Sequence, residues 1–190
     1  MRTLLLVRHA PTSATRASAF PADEPLDERG RAQAAGLAAA LLRRAAVVTS
    51  PARRCRQTAE AAGLEAEIDD EIAECDFGAW SGKLLADIND SDPDAVRSWM
   101  LDPDAAPHGG ESLGTFCTRI ARWLDAQAER DGRVVAITHG EVIKAAVVHA
   151  LGAPVLAFWR IDASPLAFTE LHAHGARWTV ARLNCASEKL

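Results

Sequence analysis

Short aliphatic runs, at Thr3 to Val7, Ala45 to Val48 and Val134 to Thr138 with a weaker one at Glu67 to Ile72, alternate along this chain with longer stretches whose apolar residues recur at helical spacing. Such alternation specifies a mostly parallel sheet wrapped by helices, because parallel neighbours need long crossovers and those crossovers fold as helices. The expected fold class is therefore α/β, a three-layer αβα sandwich. An antiparallel edge strand is expected near the C-terminus, where "LAFTELHAHGARWTVARLN" reads as two strands around a turn at His174-Gly175.

The crossover helices carry their own signals. In "LDERGRAQAAGLAAALLRR", Leu37, Ala38, Leu41 and Leu42 keep helical spacing and Asp27 can cap the start. "SPARRCRQTAEAAG" reads as a helix with Ser50 as N-cap, Pro51 at the first helical position and Gly63 closing it. "ESLGTFCTRIARWLDAQAER" puts Leu113, Phe116, Cys117, Ile120 and Leu124 on one face, and "EVIKAAVVHALG" follows the third aliphatic run. Residues 77–110 break the rhythm with Pro, Asp and Gly, and are expected to be an irregular insertion of short helices and loops over one edge. The whole of 1–190 is read as a single domain around one core, as its 48% of hydrophobic residues allow.

A net charge of −5 without a long basic run excludes the electrostatic footprint of nucleic-acid binding or of an anionic membrane surface. No apolar run approaches the roughly 18 residues that span a bilayer. Cys55, Cys75, Cys117 and Cys185 are far apart and form no C-x-x-C pair, so free thiols in the cytoplasm are expected. No cluster of residues at metal-ligand spacing is present, and no cofactor is expected.

Open α/β sheets bind ligands beyond the carboxyl ends of their strands. Three of the runs end in informative residues: Arg8 and His9 after the first, Ser50, Arg53 and Arg54 after the second, His139 after the third. Parallel neighbours would bring these to one crevice. Arg53 and Arg54 also fall in the first turn of a helix, where the macrodipole disfavours cations, and an anion bound there offsets that cost. The planar donor fork of arginine makes phosphate the economical choice of anion.

The ordered motifs "LLLVRHAPT", "TSPARRCRQTAEAA", "AECDFGAWSGK", "GGES" and "VVAITHGEVIKA" resemble the histidine phosphatase superfamily, in its phosphoglycerate-mutase-like branch, and the "RHAP" variant is similar to α-ribazole phosphatase-like members. The resemblance implies that His9 attacks phosphorus to form a phosphohistidine, that Arg8, Arg54 and His139 hold the phosphate oxygens, and that Glu74 protonates the leaving group. In the pattern S-P-x-x-R-x-x-Q-T the aligned arginine is Arg54; Arg53 and Arg56 read as solvated helix charges. Thr12 and His108 are further candidates for touching substrate, and His108 reads equally as a surface loop residue. His149 reads as core or interface, His172 and His174 share a strand face without a third metal ligand, and Trp99, Trp123 and Trp159 read as packing. Two departures stand out. Ala10 and Pro11 follow the nucleophile where the family usually has glycine, and Thr15 and Ala19 replace a downstream Asn and Gln.

The function implied is metal-independent hydrolysis of a phosphomonoester on a small phosphorylated metabolite. A phosphoglycerate-mutase-type phosphoryl transfer, or a phosphate-binding regulatory module without turnover, are the alternatives.

Overall fold

A computed structural model describes residues 1–37 and 45–186. Six strands form one sheet in the order β3-β2-β4-β1-β5-β6: β1 (Arg2–Arg8), β2 (Ala46–Thr49), β3 (Glu67–Ile68), β4 (Gly132–Thr138), β5 (Phe168–His174) and β6 (Arg177–Cys185). The first four are mutually parallel, β5 runs antiparallel to β1, and β6 runs antiparallel to β5. The helices are α1 (Ser13–Ala17), α2 (Glu28–Ala35), α3 (Arg53–Ala61), α4 (Leu85–Ser91), α5 (Pro93–Leu101), α6 (Leu113–Ala128) and α7 (Gly140–Leu151).

β1 is apolar at consecutive positions because both of its faces are covered. Leu4 and Leu6 join Val134, Ala136, Phe116 and Ile120 in one cluster with α6 and α7, whereas Leu5 and Val7 join Val135 and Phe168 on the other face. Side chains alternate between faces with period two, so such a strand reads as a continuous hydrophobic run. The fold is the αβα sandwich expected.

Several boundaries differ from the sequence reading. Glu67 to Ile72 divides: only Glu67–Ile68 pairs in the sheet, and Asp70–Ile72 is a 3₁₀ turn because the Asp69 carboxylate accepts from Glu71 N and so competes with strand pairing. α3 starts at Arg53 with Ala52 as an N-cap that offers no side-chain hydrogen bond; Ser50 is drawn away by His139. Gly63 does close this helix region, in the left-handed conformation at φ +71°. Asp27 caps α2 through Gly30 N as expected, while Ala38, Leu41 and Leu42 lie outside the described residues.

Residues 77–110 hold a 3₁₀ turn (Gly78–Trp80), α4 and α5. They are anchored to the segment after α1 by Phe20 N to Lys83 O, Gly82 N to Phe20 O and Leu85 N to Ser18 O, with Phe20, Phe77, Trp80 and Trp99 packed ring to ring. Backbone stitching joins two of the motifs: Glu111 N donates to Asp76 O and Ala79 N to His108 O. Gly110 is required there, since a Cβ on it would lie 2.8 Å from Gly78 N and closer still to Asp76 O.

Candidate active site

The site is assembled by strand register. Arg8 pairs with Thr138 across β1 and β4, so His9 and His139, each the next residue, leave the sheet side by side with ring centroids 5.4 Å apart. β2 lies against the other side of β4 and delivers Ser50 and then α3, whose first residues are Arg53 and Arg54. Arg54 is 2% exposed while Arg53 and Arg56 point to solvent, the division that the motif alignment implied.

Arg54 is the hub. Its Nε donates to His9 Nε2 at 3.2 Å, and one terminal nitrogen lies 3.0 Å from His139 Nδ1 and 3.4 Å from Glu74 Oε2. Glu74 Oε2 is also 3.1 Å from His139 Nδ1, and Glu74 Oε1 accepts from Cys75 N. His9 Nδ1 is 2.7 Å from Ala10 O, which as an acceptor fixes the proton on Nδ1 and leaves the Nε2 lone pair facing Arg54. The residue that replaces the usual glycine is held firmly, since Ala10 N donates to Thr58 Oγ1, and the Thr58 hydroxyl donates to Arg54 O. His139 Nε2 is 2.7 Å from Ser50 Oγ. Arg8 donates to Ala163 O and packs against Gly140, where a Cβ would sit 3.2 Å from its Nε.

Burial sets the ionisation. Both imidazoles are held well below the usual histidine range, first by desolvation; the charged form of His9 is further disfavoured by repulsion from a charged His139 ring and from Arg54, and that of His139 by Arg54. They are neutral at physiological pH. Glu74 is pushed up by desolvation, against the opposing pull of the Arg54 charge. Arg119 from α6 steadies the Glu74 loop by donating to the carbonyls of Glu71, Ala73 and Glu74, and it pairs with Glu111 of "GGES" at 2.8 Å.

A cavity of about 320 Å³ opens onto Arg8, His9, Arg54 and Glu74. Its far walls include Phe20, Phe77, Trp99, Phe158 and Trp159, together with Glu141 and Lys144 of α7. His139 lies behind this floor, fully buried. The structure thus brings together Arg8, His9, Arg54, Glu74 and His139, although His139, expected to touch the phosphate, stands behind Arg54 and Glu74 and not at the cavity surface, and it leaves two further expected substrate contacts out. Thr12 is fully buried, with its hydroxyl spent on capping α1 and donating to Glu24 at 2.8 Å. His108 is 2% exposed beneath Phe77 and Trp80, and its Nδ1 accepts from Gly110 N, so it supports the loop and does not line the cavity. Trp99 and Trp159 line the cavity beyond their packing role, whereas Trp123 does pack, with its Nε1 donating to Asp69. Thr15, Ser18 and Ala19 reach the wall where the absent Asn and Gln were expected. Glu141 and Lys144 escape the sequence reading, although they sit inside the quoted motif "THGEVIK" and are polar residues opening an otherwise apolar helix. Among the described residues no group of three or more His, Cys, Asp or Glu is placed to hold a metal ion.

The histidine phosphatase superfamily (branch 1) model matches residues 4–186. The chain belongs to that superfamily. It is 35% identical over 186 residues to a bifunctional protein of Mycobacterium tuberculosis, an alignment that covers 91% of this chain and 51% of the relative, so the chain spans about half the length of the first curated relatives it matches. Phosphoserine phosphatase 1 of Hydrogenobacter thermophilus is 31% identical over 195 residues, covering 97% of this chain and 92% of that protein. A mycobacterial glucosyl-3-phosphoglycerate phosphatase solved with VO3 superposes with a TM-score of 0.85 at 29% identity, covering 98% of this chain and all of that one. Among the described residues no helix is long and apolar enough to cross a membrane.

Proposed function

We propose that this protein is a phosphomonoesterase that hydrolyses a small phosphorylated metabolite through a phosphohistidine at His9. The observation that carries the reading is the joint placement of a neutral, tautomer-fixed imidazole, two arginines and a buried carboxyl, its pKa raised by desolvation, at the floor of one cavity.

The His9 Nε2 lone pair attacks phosphorus as the bond to the leaving oxygen breaks, and Glu74 gives its proton to that oxygen. Arg54 occupies the attacking lone pair until phosphate oxygens offer its N–H groups better acceptors, so substrate binding itself frees the nucleophile. Arg8 and Arg54 then neutralise charge spread over the equatorial oxygens, with His139 set behind them by Ser50. In the second half, water attacks the phosphohistidine, the Glu74 carboxylate takes a proton from it, and phosphate leaves with His9 neutral again. A neutral imidazole nucleophile and an arginine clamp need no metal.

The phosphatase relatives support hydrolysis over mutase transfer, and the four free thiols support a cytoplasmic setting. We read residues 1–190 as one catalytic unit, with 77–110 forming part of its cavity. The aromatic wall suits a leaving group with an apolar or ring face, so phosphoserine, glucosyl-3-phosphoglycerate and nucleotide-like or α-ribazole phosphates are the first esters to screen. The test is trapping: brief exposure to a labelled phosphate ester in EDTA should give an acid-labile, base-stable label on the wild-type protein and none on His9→Ala, which should also lose turnover. A His9→Ala protein that still hydrolyses nitrophenyl phosphate would overturn the reading.

A further inference from the structure

Two charged cavity residues have no task in the reaction above. Glu24 is occupied by the Thr12 hydroxyl and Ala22 N, but Glu141 and Lys144 are not so engaged. α7 begins against Arg8 at Gly140 and runs away from the phosphate pole, so Lys144, four residues on, lies about 6 Å farther along the helix axis. Its ammonium rests over the Phe158 ring, 5.3 Å from the centroid, and among the described residues it has no carboxylate within 4.0 Å. A half-buried ammonium on an aromatic wall, with its charge unpaired and facing a cavity, is a binding group for an anion.

Resting on the phosphomonoesterase reading, we propose that Lys144 is a specificity-determining residue which binds a carboxylate on the leaving group, so that the preferred substrates are phosphate esters of small hydroxy acids. A carboxylate on the carbon next to the ester carbon extends from the phosphate pole along α7 in the direction of Lys144. A second phosphate fits less well. Glu141 sits one helical turn from Lys144 on the same wall, and a doubly charged group would meet more repulsion there than a singly charged one.

The test uses 3-phosphoglycerate and glycerol 3-phosphate, which differ by a carboxylate in place of a hydroxymethyl group, as competitive inhibitors of nitrophenyl phosphate hydrolysis. Wild-type protein should bind the acid more tightly by roughly 10–100-fold, the worth of one charge-assisted hydrogen bond in a partly desolvated site. Lys144→Met should bring the ratio of inhibition constants near unity, and Lys144→Arg should restore most of it. A wild-type ratio near unity, or one that survives Lys144→Met, would overturn the assignment. So would propane-1,3-diol bisphosphate gaining as much from Lys144 as the carboxylate does, which would make the subsite one for a second phosphate. A wild-type protein inert toward nitrophenyl phosphate would instead refute the phosphomonoesterase reading on which the inference rests.

Discussion

Replacing Glu74 by glutamine separates proton donation from positioning. The carbonyl of the new side chain can still accept from Cys75 N, and its amide can donate to His139 Nδ1, from which the carboxyl oxygen now lies 3.1 Å away, giving up only the long 3.4 Å contact from Arg54. The geometry of the floor should therefore survive, and the loss falls on the transferable proton. General acid help is worth roughly 10²–10⁴-fold when the departing oxygen is basic, or about 3–5 kcal/mol of barrier. Alkyl phosphates should lose that much in kcat/KM with Glu74→Gln. A nitrophenyl ester, whose leaving group is already stable as an anion, should lose less than about tenfold in the phosphoryl-transfer step. The pH profile supplies an independent check. The acid must be protonated, and burial raises its pKa above 4.5, so the wild-type alkyl-ester rate should fall as pH rises through that raised value. The glutamine variant should lack this limb. Equal losses for both leaving groups, with the limb retained, would show that Glu74 acts only by position and charge.

Three further outcomes follow from the same geometry. Arg119→Met removes the donors to three carbonyls of the Glu74 loop and should lower stability by about 2–4 kcal/mol and kcat/KM by roughly tenfold, read by urea titration and by kinetics. Gly110→Ala drives a Cβ into Asp76 O and Gly78 N and should cost about 3 kcal/mol, a fall of about 6–12 °C in Tm by calorimetry. Acidification should destabilise the fold as pH falls through 6.5, because His9 and His139 have native pKa values depressed by burial and the unfolded chain takes up their protons first; Glu74 and Glu141, raised above 4.5, contribute stability that is lost as pH rises past 4.5 and so oppose this trend at lower pH. The drop in urea midpoint between about pH 7.5 and 5.5 should shrink in His9→Ala, and an unchanged drop would show that His9 is not the titrating group.

The sheet was legible because a strand buried on both faces must be apolar at consecutive positions, as β1 is from Leu4 to Val7 and β4 from Val134 to Ile137. The floor of the cavity was legible because strand ends are where chemistry collects, and Arg54 could be told from Arg53 by motif spacing alone. What faces the cavity from farther away was not. Whether Trp99 packs or lines a wall depends on where residues 77–110 come to rest, and that is decided by aromatic contacts with Phe20 about 80 residues upstream. Ser50 carries the signature of a cap, but a buried imidazole nitrogen is the stronger claimant for its hydroxyl. The Thr12 hydroxyl and the His108 Nδ1 are taken up by neighbours that only the fold supplies.

The pairing of Arg8 with Thr138 carries a kinetic consequence. The two histidines are separated by about 130 residues of chain, and they meet only when β1 has docked between β4 and β5 in the correct register. Loop closure over that distance comes late, and a slip by one position would turn His9 toward the opposite face. Helices such as α6 form from local contacts and can regain their circular dichroism early. Catalytic competence should then reappear as a distinct, slower phase on refolding, so that turnover reports completion of the central pairing and circular dichroism does not.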